Sequence, residues 1–148
     1  MSRVAFHVPG IPAPGGSKKF VGLSKRTGRA LIVDDAGKRN KDWRAAVAWA
    51  GKAAMQGRPL LEGPLKARFE FIIPRPKKHF GSSGQLKPSS PAWPTVKPDA
   101  LKLTRSSEDA LTGIVWTDDA QIVKEEIEKR YAAPGQAAGA VITVMGLN

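Results

Sequence analysis

Asp99 and the adjacent pair Asp118 and Asp119 lie in residues 96–131, VKPDALKLTRSSEDALTGIVWTDDAQIVKEEIEKRY, of a 148-residue chain whose 24 Lys and Arg outnumber 13 Asp and Glu, a formal charge of +11. Carboxylates on such a background suit metal-assisted hydrolysis of a phosphodiester. Mg2+ takes oxygen ligands and often needs only one or two protein carboxylates, water and phosphate oxygens filling its other positions. Held there, it polarises the phosphate and stabilises the leaving 3′ oxygen. The expected minimal site is Asp99 with Asp118 or Asp119. A DD pair by itself is equally at home in a polar turn.

Arg105 shares a helical arc with Asp99 and Asp109. A guanidinium does not deprotonate and grips phosphate in a bidentate fork, so Arg105 either clamps the substrate or pairs with Asp109. His7 and His79 lack a second imidazole at ligand spacing and are read as non-ligands, with His79 a candidate phosphate contact. No acid occurs in residues 1–33 or 71–98. Lys18, Lys19, Lys77, Lys78, Lys97 and Lys102 are therefore the expected DNA-binding side chains, against the plainer reading of a basic surface that aids solubility. Cysteine is absent, which removes disulfides, thiolate nucleophiles and Cys-ligated metals and fits a cytoplasmic protein. No apolar run reaches membrane-spanning length, and no signal peptide or anchor is indicated.

The elements expected to position these groups begin with a strand at 3–8. A Pro/Gly loop from 9 carries Lys18 and Lys19, and a second strand at 30–33 ends in turn or cap aspartates Asp34 and Asp35. Trp43, Ala46, Val47, Ala50 and Ala54 recur at helical spacing over 41–56. Residues 65–73 alternate Phe69, Phe71 and Ile73 against a wet side of Arg68, Glu70 and Ile72. The basic segment 74–97 is either a mobile surface loop or an arm that stacks Phe80 or Trp93 on a base. A helix over 99–112 buries Leu103, Ser107 and Leu111 and presents Asp99, Lys102, Arg105, Ser106 and Asp109 on a polar face. Strands follow at 121–131, with Val123, Ile127 and Tyr131 on one side, and at 140–145. The expected fold class is α+β, a single domain over 1–148 with a mixed sheet packed against two main helices.

KPD at 97–99, LTRSSEDALTG at 103–113 and WTDDAQIV at 116–123 resemble the core signature of the RusA family of Holliday junction resolvases; PGIPAPGGSKK and VDDAGKRNKDWR resemble the N-terminal half more loosely. The resemblance implies a bacterial or phage-encoded homodimer that uses Mg2+, with Mn2+ as substitute, to cut four-way junction DNA by paired symmetric nicks in recombination and repair. Asp99 and Asp119 match metal-binding aspartates, Asp118 their acidic neighbour, and Arg105 a position usually held by a lysine needed for cleavage. The pattern commonly has a second acid where this chain has Leu101. Glu108, seven residues on, is a candidate replacement or supporting ligand, or a solvated helix charge; seven residues of helix rise about 10 Å, so it and an acid at the helix start do not share one ion. A catalytically impaired junction-binding protein is the alternative reading. A basic RNA-binding domain also fits the charge but gives KPD and DDAQ no role.

Overall fold

Strands β1 (Arg3–Pro9), β2 (Lys18–Leu23) and β3 (Ala30–Asp34) precede helix α1 (Gly37–Met55); β4 (Leu65–Ile73), α2 (Ala100–Leu111), β5 (Ile122–Tyr131) and β6 (Gly139–Gly146) follow. The computed structural model describes residues 2–15, 18–34 and 37–147, with the backbone alone for 18–21 and 31–34. The main sheet has the order β1-β6-β4-β5. Its β4–β5 pair is parallel and the other pairs antiparallel. A parallel neighbour demands a crossover, and α2 supplies it, running back over the sheet from the end of β4 to the start of β5.

The period-2 pattern of β4 sets the covered face. Leu65, Ala67, Phe69 and Phe71 are all fully buried, and across the ladder they meet Val144, Ile142 and Ala140 of β6. Trp43, Val47 and Met55 of α1 and Leu103 and Leu111 of α2 close the same core. Each large apolar side chain buried in this way contributes roughly 1.5–3 kcal/mol. On the opposite face Lys66 and Arg68 pair with Glu126 at 2.7 and 3.3 Å, so the sheet is wet on that side. Ile72, expected on the wet side, is nonetheless buried.

Expected and observed elements differ in three places. Lys18 and Lys19 belong to β2, which forms a separate two-stranded ribbon with β3, instead of to a loop; a lysine-led strand gains its order from the partner strand and gives little local signal. Helix α1 begins at Gly37, a turn before the expected start near Lys41, and this added turn carries buried Asn40, whose Oδ1 accepts from Ser106 Oγ at 2.9 Å. That bond, with Trp43 Nε1 donating to Ser107 Oγ at 3.2 Å, places Ser106 between the helices and removes it from the expected polar face. The third difference is the segment 74–97, which is strapped down. Lys87 N–H and Ser90 Oγ both donate to His79 O (2.8 and 2.7 Å), Arg75 Nη1 donates to Pro91 O at 2.9 Å, and Lys129 Nζ donates to Val96 O and Pro98 O at 2.8 and 3.0 Å. Among the described residues no helix is long and apolar enough to cross a membrane. Asp35 lies outside the described residues.

Candidate functional site

Helix α2 carries candidate site residues at both ends and along its outer face. Asp99 is the N-cap residue, with extended backbone, yet its carboxylate makes no capping hydrogen bond; it is not consumed in holding the helix. Leu101, at 71% exposure, stands on the outer face. Arg105 is exposed and forms no ion pair among the described residues, so the expected alternative of a bridge to Asp109 is not made.

At the far end of α2 the chain turns through Trp116 and Thr117 into a short 3-10 turn, Asp119–Gln121. The two adjacent aspartates there have separate jobs. Asp118 Oδ1 accepts the Ala120 N–H at 2.9 Å, and Gln121 Oε1 accepts the Asp118 N–H at 3.0 Å, a reciprocal cap. Gln121 Nε2 then donates to Leu61 O and Gly63 O at 2.9 and 3.1 Å, tying the turn to the core. Asp118 is thus engaged structurally. Asp119 Oδ1 instead accepts the indole N–H of fully buried Trp116 at 2.8 Å, and Thr112 Oγ1 also bonds it. Those donors lock one oxygen and orient the other.

Glu108, one turn before the end of α2, is half-buried and so is not a solvated helix charge. It meets Glu125, which pairs with Ala67 on the helix-covered face of the sheet. Burial first, then the hydrogen bond and charge of Glu125, then Asp119 and Asp109, push the Glu108 carboxyl from its ordinary 4.5 up to about 9. Burial and neighbouring like charges both disfavour the ionised form of such a carboxyl. The donors are all oxygen, as Mg2+ requires, so Glu108, Glu125 and Asp119 fit a hard divalent cation in type and charge. As the side chains stand, no three acidic or imidazole groups among the described residues are close enough to enclose an ion together.

A pH dependence follows from the proton that the raised Glu108 carboxyl retains. Above pH 4.5 the unfolded chain releases it while the folded chain retains it until about 9, so Glu108 lowers stability progressively across that window. Thermal melting in EDTA should show Tm falling between pH 5 and 9 more steeply in the wild type than in Glu108→Gln. For a chain of this size each kcal/mol relieved raises Tm by about 2–4 °C. Added Mg2+ at pH 8 should raise the wild-type Tm and not that of the variant. Parallel Tm–pH curves would mean the carboxyl is not crowded.

The expected meeting of Asp99 with Asp118 or Asp119 does not occur within one chain. Thr112, the C-cap of α2, touches Asp119, whereas Asp99 is at the opposite end of the same 12-residue helix, which spans roughly 18 Å. Lys129, near the far end of β5, reaches the carbonyls on either side of Lys97 and so holds the Asp99 end there. Glu108 therefore groups with Asp119 and not with Asp99. Glu125 was not singled out from sequence, although an acid two residues from Ile127 on the apolar side of a strand is a legible signal. Lys77, Lys78 and Lys97 are exposed and Lys102 is partly so; the side chains of Lys18 and Lys19 lie outside the described residues. His79, expected as a surface phosphate contact, is buried against Tyr131.

A family model described as Endodeoxyribonuclease RusA matches residues 11–145, nearly the whole chain. The uncharacterized protein YqaN of Bacillus subtilis (strain 168) is 28% identical over 136 residues, covering 89% of this chain and 90% of YqaN.

Proposed function

The chain belongs to the RusA endodeoxyribonuclease family, and from that premise we propose that it is a Mg2+-dependent endonuclease resolving four-way DNA junctions by paired symmetric nicks, as a two-fold dimer in which Asp99 of one copy joins Asp119 of the other. The observation that carries this reading is Asp119, held by the Trp116 indole and near enough to Glu108 to help raise its carboxyl pKa, in a chain of charge +11. A divalent cation held there supplies polarisation of the scissile phosphate and charge stabilisation at the leaving 3′ oxygen. Thr112 and Trp116 keep Asp119 aimed without reorganisation. Arg105, exposed and unpaired, grips non-bridging phosphate oxygens and adds positive charge as the transition state forms. The lysines hold the backbone.

Support for the dimer comes from α2. Its N-terminal half carries Lys102 and Arg105 and its C-terminal half Glu108 and Asp109. Antiparallel apposition of two such helices about a two-fold axis sets the positive half of one against the negative half of the other and covers Leu101. It also brings each Asp99 toward the Asp119 end of the second copy, a separation that one α2 helix of roughly 18 Å does not close within a single chain.

In excess EDTA, junction binding should persist and cleavage should stop, returning with Mg2+ or Mn2+. Binding should weaken steeply with salt, log K falling by about 0.9 per log unit of salt for each phosphate neutralised. Unimpaired cutting in EDTA would remove the cation from the mechanism. Exposed Leu101, where the family commonly has an acid, favours one second reading, a junction-binding protein with weakened chemistry. Labelled four-way junction, duplex and single-stranded RNA incubated with protein and Mg2+ separate these. Symmetric nicks mark the resolvase, a retarded but intact junction marks the binder, and preference for RNA would defeat both.

A further inference from the structure

Beneath the strapped segment 74–97 lies a cavity of about 550 Å3 at the carboxyl ends of the parallel strands β4 and β5. That volume is within the roughly 300–1,000 Å3 of small-ligand sites. Its lining includes apolar Ile73, Pro91 and Tyr131, hydroxyl-bearing Ser89 and Thr95, and the cations Lys78 and Lys97. No acid occurs in residues 71–98. The cavity therefore matches a ligand with a flat apolar face, hydrogen-bonding edges and an attached negative charge.

Arg75, itself outside the lining, ties three lining residues together. Arg75 stacks its guanidinium 4.5 Å from the Tyr131 ring centre, donates to Pro91 O at 2.9 Å and lies 3.2 Å from His79 Nδ1. A guanidinium only donates, so Nδ1 accepts and neutral His79 carries its proton on Nε2, a donor with no partner among the described residues. Burial, followed by the charges of Arg75, Lys78 and Lys87, holds the His79 pKa below the usual imidazole value and favours that neutral form.

We propose that this cavity receives one unstacked nucleotide of the DNA substrate, its base against the apolar lining that includes Ile73 and Pro91 and its phosphate between Lys78 and Lys97. Lys97 adjoins the Asp99 end of α2, so the captured nucleotide lies beside the strand presented for cutting. A base stacked in a duplex cannot enter, whereas one freed where strands exchange already lacks its stacking and costs least to extract. Occupancy of the cavity would thereby favour branched over continuous duplex DNA. The inference rests on DNA being the substrate.

Four-way junctions with 2-aminopurine at successive nucleotides around the branch, titrated with protein in EDTA, test it. One position should brighten several-fold at saturation. Ser89→Trp or Thr95→Trp, exposed rim positions whose folding circular dichroism checks, should abolish the rise and weaken junction binding relative to duplex. With an abasic residue at that position, wild type and both variants should bind alike. An equal rise in wild type and variants, or binding by mobility shift with no rise anywhere, overturns the pocket while leaving the DNA reading intact. Failure to bind any DNA overturns both.

Discussion

Asp119→Asn should reduce nicking of a four-way junction by at least about 10²-fold, the scale on which loss of one pre-oriented electrostatic group acts, while leaving fold and junction affinity unchanged. The fold should survive because the amide oxygen of Asn accepts the Trp116 indole N–H and the Thr112 hydroxyl as the carboxylate oxygen does. Affinity should survive because it is carried by lysines and arginines far more numerous than the acids. What is lost is the negative charge on the second oxygen. Asp118→Asn makes the contrasting case: its side chain caps the turn through the Ala120 N–H, a role an Asn oxygen fills, so activity should fall much less. Single-turnover cleavage of both variants, with melting curves as control, reads the difference; equal losses would deny the two aspartates their separate roles.

Mixing two inactive variants should restore cutting. If each active site takes Asp99 from one copy and Asp119 from the other, a heterodimer of Asp99→Asn with Asp119→Asn gathers both substitutions in one site and leaves the second site wholly wild type. That heterodimer should nick one strand of the junction, whereas either homodimer nicks none. If both aspartates acted within one chain, every site in the mixture would carry one substitution and activity would stay at the level of the separate variants. Co-expression with two affinity tags isolates the heterodimer, and the count of nicked strands decides. The prediction follows from the length of one helix: roughly 18 Å of α2 separate residues whose joint action on a phosphate needs contact distances.

The order of elements was largely legible because periodicity is a local property. The alternation of Phe69 and Phe71, the apolar run of β6 and the helical spacing of Trp43 and Val47 each follow from nearest neighbours. Helix α2, expected over 99–112, spans Ala100–Leu111 with Asp99 and Thr112 as its caps, since proline before it and glycine after it set both ends. The ribbon strand β2 was not legible, because its order depends on pairing with β3.

For the site, residue types and the resemblance to the family signature singled out Asp99, Asp118, Asp119, Arg105 and Glu108 as candidates, and the excess of cations pointed to a polyanionic partner; charge and motif spacing are properties of the chain read in order. Distances across the fold depend on how the elements pack. Tertiary structure alone put Asp118 into a cap and Asp119 against Trp116, brought Glu125 of β5 under Glu108 of α2, and folded the basic segment over a cavity. It also set Asp99 and Asp119 at opposite ends of one helix, because a parallel β4–β5 pair forces the crossover helix to run antiparallel to the strand it precedes.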